Sequence, residues 1–231
     1  MKTYQHLFFD LDHTLWDYDR NVKESLAELY TKHRLEDWGI PSFEKFFDSF
    51  YEVNFKLWDQ YNVGKIDKYH LRKERFPQII AHAGGQSHSP IGELEEDFLH
   101  FTSSKSHLFP YSKEILSYLK KKYKVHVITN GFEESQQKKI KSSGLQGYFD
   151  LIVTSETTGF RKPDPRIFQY ALDQLEAEAS VCLMIGDNPS SDILGAQRAA
   201  IDQVFFNPSE KKIDLIPTYE IRHLQELELL L

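Results

Sequence analysis

The chain has 231 residues, 40% of them hydrophobic, with 28 basic against 35 acidic side chains and a net charge of −7. That length suits one large domain or two modest ones with a real core, and the composition excludes a disordered chain. The acidic balance argues against broad attraction to a nucleic-acid polymer, and no run approaches the roughly 18 apolar residues of a membrane-spanning helix.

Residues 4–10 read as a buried strand, Leu7-Phe8-Phe9 running into Asp10-Leu11-Asp12-His13-Thr14. Continued strand alternation would aim both carboxylates the same way, and isolated buried carboxylates are costly. A bound divalent cation is the simplest remedy. The competing reading is an ordinary turn or helix N-terminus, where Asp is common. Met1-Lys2-Thr3 passes straight into the strand with no leader-like apolar segment, so a cytoplasmic location with no membrane contact is expected.

Residues 16–104 carry helical periodicity. Val22, Leu26 and Leu29 mark one helix, and Leu94, Phe98 and Phe101 mark a later one. Between them Phe43, Phe46, Phe47, Phe50, Asn54, Leu57, Trp58 and Tyr61 keep a helical period over five turns. Ala83-Gly84-Gly85, followed by Ser89-Pro90, predicts a loop, and Gly64-Lys65-Ile66 predicts another. The second is no P-loop, because Ile66 replaces the required hydroxyl residue and no glycine stands five residues earlier. His82 and His88 flank the glycine loop without zinc-ligand spacing.

From about residue 108 short apolar strands alternate with amphipathic helices. The strands are Val125 to Thr129, Leu151 to Thr154, Val181 to Ile185 and Val204 to Phe206. Helical stripes run through Ile115, Leu116 and Leu119, and through Phe168, Ala171, Leu172 and Leu175. Asp164 is placed as N-cap of the latter with Pro165 at its first position. Cys182 falls inside an apolar run, which predicts a buried thiol, and as the lone cysteine it makes no intrachain disulfide. Leu224, Leu227 and Leu230 predict a last helix packed on the sheet. The expected fold is α/β: a Rossmann-like, doubly wound parallel sheet over 1–15 and 105–231, with a helical cap domain inserted at 16–104.

Ligands of open α/β sheets bind outside the carboxyl ends of the strands. Four polar signals fall at that edge: Asp10 with Asp12, Thr129-Asn130-Gly131, Lys162-Pro163, and Gly186-Asp187 with Asp192. Each has a plain structural reading as a turn, a surface charge or a cap. As chemistry, a hydroxyl and backbone N–H groups hold phosphate oxygens, a lysine neutralises phosphate charge, and Asp187 completes an oxygen site for Mg²⁺ with Asp192 supporting it.

In that order and spacing these motifs resemble the haloacid dehalogenase superfamily, and the likeness covers the whole chain. The resemblance implies phosphoryl transfer through an aspartyl-phosphate, with Asp10 as nucleophile and Asp12 as general acid and then base. It implies Mg²⁺ held by Asp10, the backbone carbonyl of Asp12 and Asp187, with Asp192 in or just behind that shell. Thr129, the Asn130 backbone, Gly131 and Lys162 would hold the phosphoryl oxygens. Dehalogenases of the superfamily lack an acid–base aspartate at position 12, which favours a phosphatase. His13 departs from the Gly, Asn or Asp of many relatives and reads as a packing residue or as a substrate or pH sensor.

Asp12 to Asp17 with Asn21, Val125 to Gly131 and Gly159 to Asp164 are similar to the pyrimidine 5′-nucleotidase branch. The substrate implied is a small phosphate monoester, a pyrimidine or non-standard nucleoside monophosphate, with no nucleic-acid polymer as partner. Trp16 is expected either to stack a base or to pack the hinge, and Lys65 either to contact substrate from the cap or to lie solvated. Hinges for a moving cap are expected near residues 15–18 and 104–110. The alternatives are a sugar-phosphate or broad-specificity phosphatase, a phosphomutase, and a catalytically silent binding protein on the same scaffold. The oligomeric state is left open.

Overall fold

The computed structural model describes residues 3–86 and 91–231, so Ser89-Pro90 and His88 lie outside the described residues. Among these residues no helix is long and apolar enough to cross a membrane. The chain divides into two compact units, Met1–Tyr18 with Ser106–Leu231, and Asp19–Lys105.

The chain starts in the first unit with β1 (His6–Phe9), and α1 (Tyr18–Lys32) carries it onward. The second unit continues with α2 (Phe43–Asn62), α3 (Lys68–His82) and α4 (Gly92–Ser104). Ser42 caps α2 by accepting from Lys45 N–H, and Asp67 caps α3 by accepting from His70 N–H. The core of this unit is apolar and aromatic, with Phe50 and Phe76 packed on Phe98 at centroid distances of 5.1 and 5.6 Å. Helix α3 has no counterpart among the sequence expectations, because Pro77 stands inside it and charged residues break its apolar stripe. His82 contacts Ser49 and Glu52.

The first unit resumes with α5 (Ser112–Leu119), β2 (Lys124–Thr129), α6 (Glu133–Ser142), β3 (Leu151–Thr154), α7 (Ser155–Thr158) and α8 (Pro165–Leu175). It ends with β4 (Cys182–Gly186), a π turn Pro189–Ile193 leading into α9 (Leu194–Arg198), β5 (Asp202–Phe206), β6 (Tyr219–Ile221) and α10 (Leu227–Leu230). The six strands pair in parallel in the order β3-β2-β1-β4-β5-β6. Strand β6 is too short and polar to show in the sequence. Asp164 caps α8 through Arg166 N–H, with Pro165 at its start.

Residues alternate between the two faces of the sheet. Leu7, Phe9, Val125, Val127, Leu183 and Ile185 pack with Ile115, Leu116 and Leu119 of α5 on one side. Phe8, Ile128, Cys182 and Met184 pack with Ile167, Phe168 and Ala171 of α8 on the other. The Cys182 thiol is buried there and pushed up to about 11 by that burial. Because β1 is central and flanked by β2 and β4, the carboxyl ends of these three strands lie side by side.

One polar pair sits inside the second face. The His126 ring is fully buried, stacks on His6 at 5.4 Å, and its Nε2 lies 3.1 Å from His6 Nδ1. Burial, followed by the neighbouring His6, lowers the His126 pKa from 6.5 to about 4. Since the unfolded chain takes up this proton first, stability is lost as pH falls from 6.5 towards 4, by on the order of 3 kcal/mol. Denaturant titrations across that range should show His126→Gln with a flatter pH dependence than the wild type. Parallel curves for the two proteins would remove His126 as the cause.

Candidate active site

Strand β1 stops at Phe9, and the chain folds into a tight turn in which Leu15 and Trp16 N–H both donate to the Leu11 carbonyl. Alternation therefore ceases before it reaches the two aspartates, and their side chains part. Asp10 turns to Lys162, and Asp12 turns to α6. His13, between them, has a φ of 64°, in the left-handed region that favours Gly, Asn or Asp. Its ring packs on Tyr18 at 4.5 Å, which matches the packing reading.

Lys162 is the centre of the site, with its side chain 2% exposed. Its Nζ lies 2.6 Å from Asp10 Oδ1, 2.7 Å from Asp192 Oδ1 and 2.8 Å from the Ile128 carbonyl. These partners use its three donors. Asn130 sets the backbone that presents it: the amide donates to the Lys162 carbonyl at 2.9 Å and accepts from the Lys162 N–H at 2.8 Å. Ser155 donates to the Asn130 carbonyl at 3.0 Å, tying α7 to the same loop.

Asp192 lies in the π turn after β4. Its Oδ2 accepts from Asn188 N–H at 3.0 Å, while the Asn188 side chain accepts from Ser190 and Ser191 N–H. A Cβ on Gly186 would stand 2.3 Å from Asp192 Oδ2, so only glycine lets this carboxylate reach the end of β4. Thr14 donates to Asp187 Oδ1 at 3.2 Å.

Asp10, Asp187 and Asp192 each offer a carboxylate oxygen within 4.8 Å of the others. One ammonium among three carboxylates leaves a local excess of negative charge. Burial raises Asp10 to about 7, with Lys162 opposing and Asp192 and Asp12 adding to the rise. Burial and the charges of Asp192 and Asp10 hold Asp187 well above the ordinary carboxylate range. Burial works against the Lys162 charge, but Asp10 and Asp192 outweigh it and raise that group. A set of hard oxygen donors short of positive charge fits a divalent cation such as Mg²⁺.

Thr129 ends β2 beside this cluster, and its Oγ1 accepts from Gly131 N–H at 3.1 Å. The Gly131 N–H is therefore engaged within its own turn, and the Thr129 hydroxyl proton is left to donate elsewhere. That alters the expectation that Gly131 would offer its N–H to phosphate. Of the two readings of Trp16, packing is the one its surroundings favour. Its side chain is fully buried in the core of the first unit, where it presents no face to a nucleotide base. Lys65 belongs to the second unit and is exposed in the turn between α2 and α3.

Two residues absent from the sequence reading complete the picture. Lys139 Nζ lies 2.6 Å from Asp12 Oδ1, and Gln136 Nε2 lies 2.9 Å from Asp12 Oδ2. Burial raises the Asp12 carboxyl, but the Lys139 charge and the hydrogen bonds from Lys139 and Gln136 hold it below its usual value. A signal for them existed. The inward register of α6 reads Gln136, Lys139, Ile140, too polar for a helix that only fills a core.

Residues 4–200 match the family model of the haloacid dehalogenase-like hydrolases. The chain is 31% identical over 230 residues to the putative HAD-hydrolase YfnB of Bacillus subtilis (strain 168), covering 98% of this chain and 95% of that protein. It is 32% identical over 228 residues to the pyrimidine 5′-nucleotidase YjjG of Escherichia coli (strain K12), covering 97% and 96% respectively. The crystal structure of YfnB bound to magnesium superposes with a TM-score of 0.89 at 31% identity, covering 99% of each chain. With its parallel sheet and the four motifs gathered along one edge, this chain belongs to the haloacid dehalogenase-like hydrolase family.

Proposed function

We propose that this hydrolase is a Mg²⁺-dependent phosphatase of small phosphate monoesters, working through an aspartyl-phosphate on Asp10, with pyrimidine or non-standard nucleoside 5′-monophosphates as its substrates. The observation that carries the reading is the pairing of a buried, lysine-bound Asp10 with a second carboxylate, Asp12, two residues on and oriented separately. A reaction at carbon that expels halide has no oxygen to protonate and needs no Asp12. The nucleotide preference rests on the likeness to a pyrimidine 5′-nucleotidase over nearly the whole chain.

In this mechanism an Asp10 oxygen forms a bond to phosphorus as the bond to the ester oxygen breaks. Asp12, held as a carboxylate by Lys139 and Gln136 in the free protein, takes up a proton with the entering phosphate ester and gives it to the departing oxygen, then takes one from the water that attacks the aspartyl-phosphate. Phosphate leaves, and Asp10 is regenerated as a carboxylate. The Thr129 hydroxyl donates to a phosphoryl oxygen, and Lys162 offsets the charge that builds up on the transferring group. Asp10, Asp187 and the Asp12 carbonyl would hold the cation, with Asp192 bracing Lys162 behind them. When bound, Mg²⁺ supplies the positive charge that lets a carboxylate approach a phosphate.

Phosphate release from a panel of nucleoside and sugar monophosphates tests this directly. Turnover should require Mg²⁺, vanish with EDTA, fall to background in Asp10→Asn, and be strongest on pyrimidine monophosphates. Even turnover across unrelated esters would reassign the protein as a broad-specificity phosphatase, and absence of metal-dependent release would end the phosphatase reading. In Asp187→Asn, the Mg²⁺ concentration giving half-maximal rate should rise at least about tenfold, since one of few charged ligands is lost. An unchanged requirement would take Asp187 out of the cation site.

A further inference from the structure

We propose that Lys139 and Gln136 of α6 are positioning residues that set the orientation of the Asp12 carboxylate for proton transfer, with Gly131 providing the opening through which Gln136 reaches it. This inference rests on the phosphatase reading above and assigns two residues to the working of its acid–base group.

The hold is two-sided. Lys139 and Gln136 stand three residues apart on one face of α6, and each grips a different oxygen of Asp12, at 2.6 and 2.9 Å. A carboxylate bonded at one oxygen can swing about that bond, whereas one bonded at both has a single orientation. Neither residue is placed by the ordinary demands of the helix. Lys138 and Lys141 beside them are exposed, while the Lys139 side chain is 8% exposed, a costly place for an ammonium without a specific partner.

The surroundings of Lys139 hold it in place as well. Its Nζ lies 4.3 Å from the Trp16 ring centroid and 5.7 Å from that of Tyr18. Aromatic faces attract an ammonium at such distances. Trp16 thus acquires a role that its burial denied it as a base-stacking residue: it backs the lysine that faces Asp12. Gly131 supplies an independent observation. A Cβ there would stand 1.6 Å from Gln136 Nε2, so any larger residue would drive the amide off Asp12. The φ of Gly131 is not in the left-handed region, and space for Gln136 is what the position requires.

A buried ion pair is often nearly neutral for stability, so a purely structural Lys139 is the reading to separate. The separation uses two esters that differ only in a nitro group, phenyl phosphate and p-nitrophenyl phosphate. Phenoxide departs poorly without a proton, whereas p-nitrophenoxide depends on it much less. Wild type, Asp12→Asn, Lys139→Met and Gln136→Leu are compared for kcat and KM on both, with thermal melting to confirm folding. Asp12→Asn should lose far more kcat/KM on phenyl phosphate than on the nitro ester, since kcat/KM reports the leaving-group step and not the hydrolysis of the aspartyl-phosphate common to both. Lys139→Met should follow the same pattern, losing about tenfold or more in kcat/KM on phenyl phosphate and much less on the nitro ester. Gln136→Leu should show a smaller loss of the same selectivity, and it carries the test if Lys139→Met does not fold.

Equal losses of kcat/KM on both esters in Lys139→Met and Gln136→Leu, with Asp12→Asn still selective, would overturn the positioning role and leave the phosphatase reading standing. A non-selective Asp12→Asn would overturn the acid–base role of Asp12, and the inference with it. No metal-dependent turnover of either ester by the wild type would overturn both.

Discussion

The Lys162 ammonium, enclosed by Asp10, Asp192 and the Ile128 carbonyl, is the interaction around which the rest of the site is arranged. A buried cation is tolerable only when each donor is met, and a buried carboxylate only when positive charge or donors meet it. Breaking such a pair by removing one partner typically costs about 3–5 kcal/mol, because the group left behind stays buried and charged. This constraint explains details that have no other purpose. Asn130 clamps the backbone of Lys162 with two hydrogen bonds, and Asn188 shapes the turn that delivers Asp192.

The fold supplies this meeting point by topology. With β1 between β2 and β4, a parallel sheet places the carboxyl ends of three strands next to one another. Asp10 leaves one, Thr129 ends the second, and Asp187 follows the third. The lysine comes from the loop between α7 and α8 and crosses to the cluster because Asn130 holds it there. The resulting charge is unbalanced, with three carboxylates to one ammonium, and that imbalance is what a divalent cation would offset.

A second ion pair, Lys139 with Asp12, sits apart from the first and has different surroundings. Lys162 is enclosed by oxygen, whereas Lys139 is backed by the rings of Trp16 and Tyr18. The two aspartates of one five-residue motif accordingly have opposite tendencies, Asp10 raised to about 7 and Asp12 lowered.

Much of this was present in the order of residues alone. Apolar runs bounded by polar motifs identified four of the five later strands' positions closely enough to reveal the sheet, and the spacing of Asp10, Thr129, Lys162 and Asp187 named the groups at its edge. Such features are local, carried by strand periodicity and by turn and cap residues that act within a few positions. Helix α3, interrupted by Pro77, and the short polar β6 were not legible, because neither carries a periodic apolar stripe. The sequence also could not say which way a side chain turns once its strand ends. Asp12 faces α6, Trp16 is enclosed, Gly131 makes room for Gln136, and Lys139 is buried beside exposed lysines. Only the packed structure decided these, since each depends on a partner more than 100 residues away in the chain or on the space that a missing Cβ leaves open.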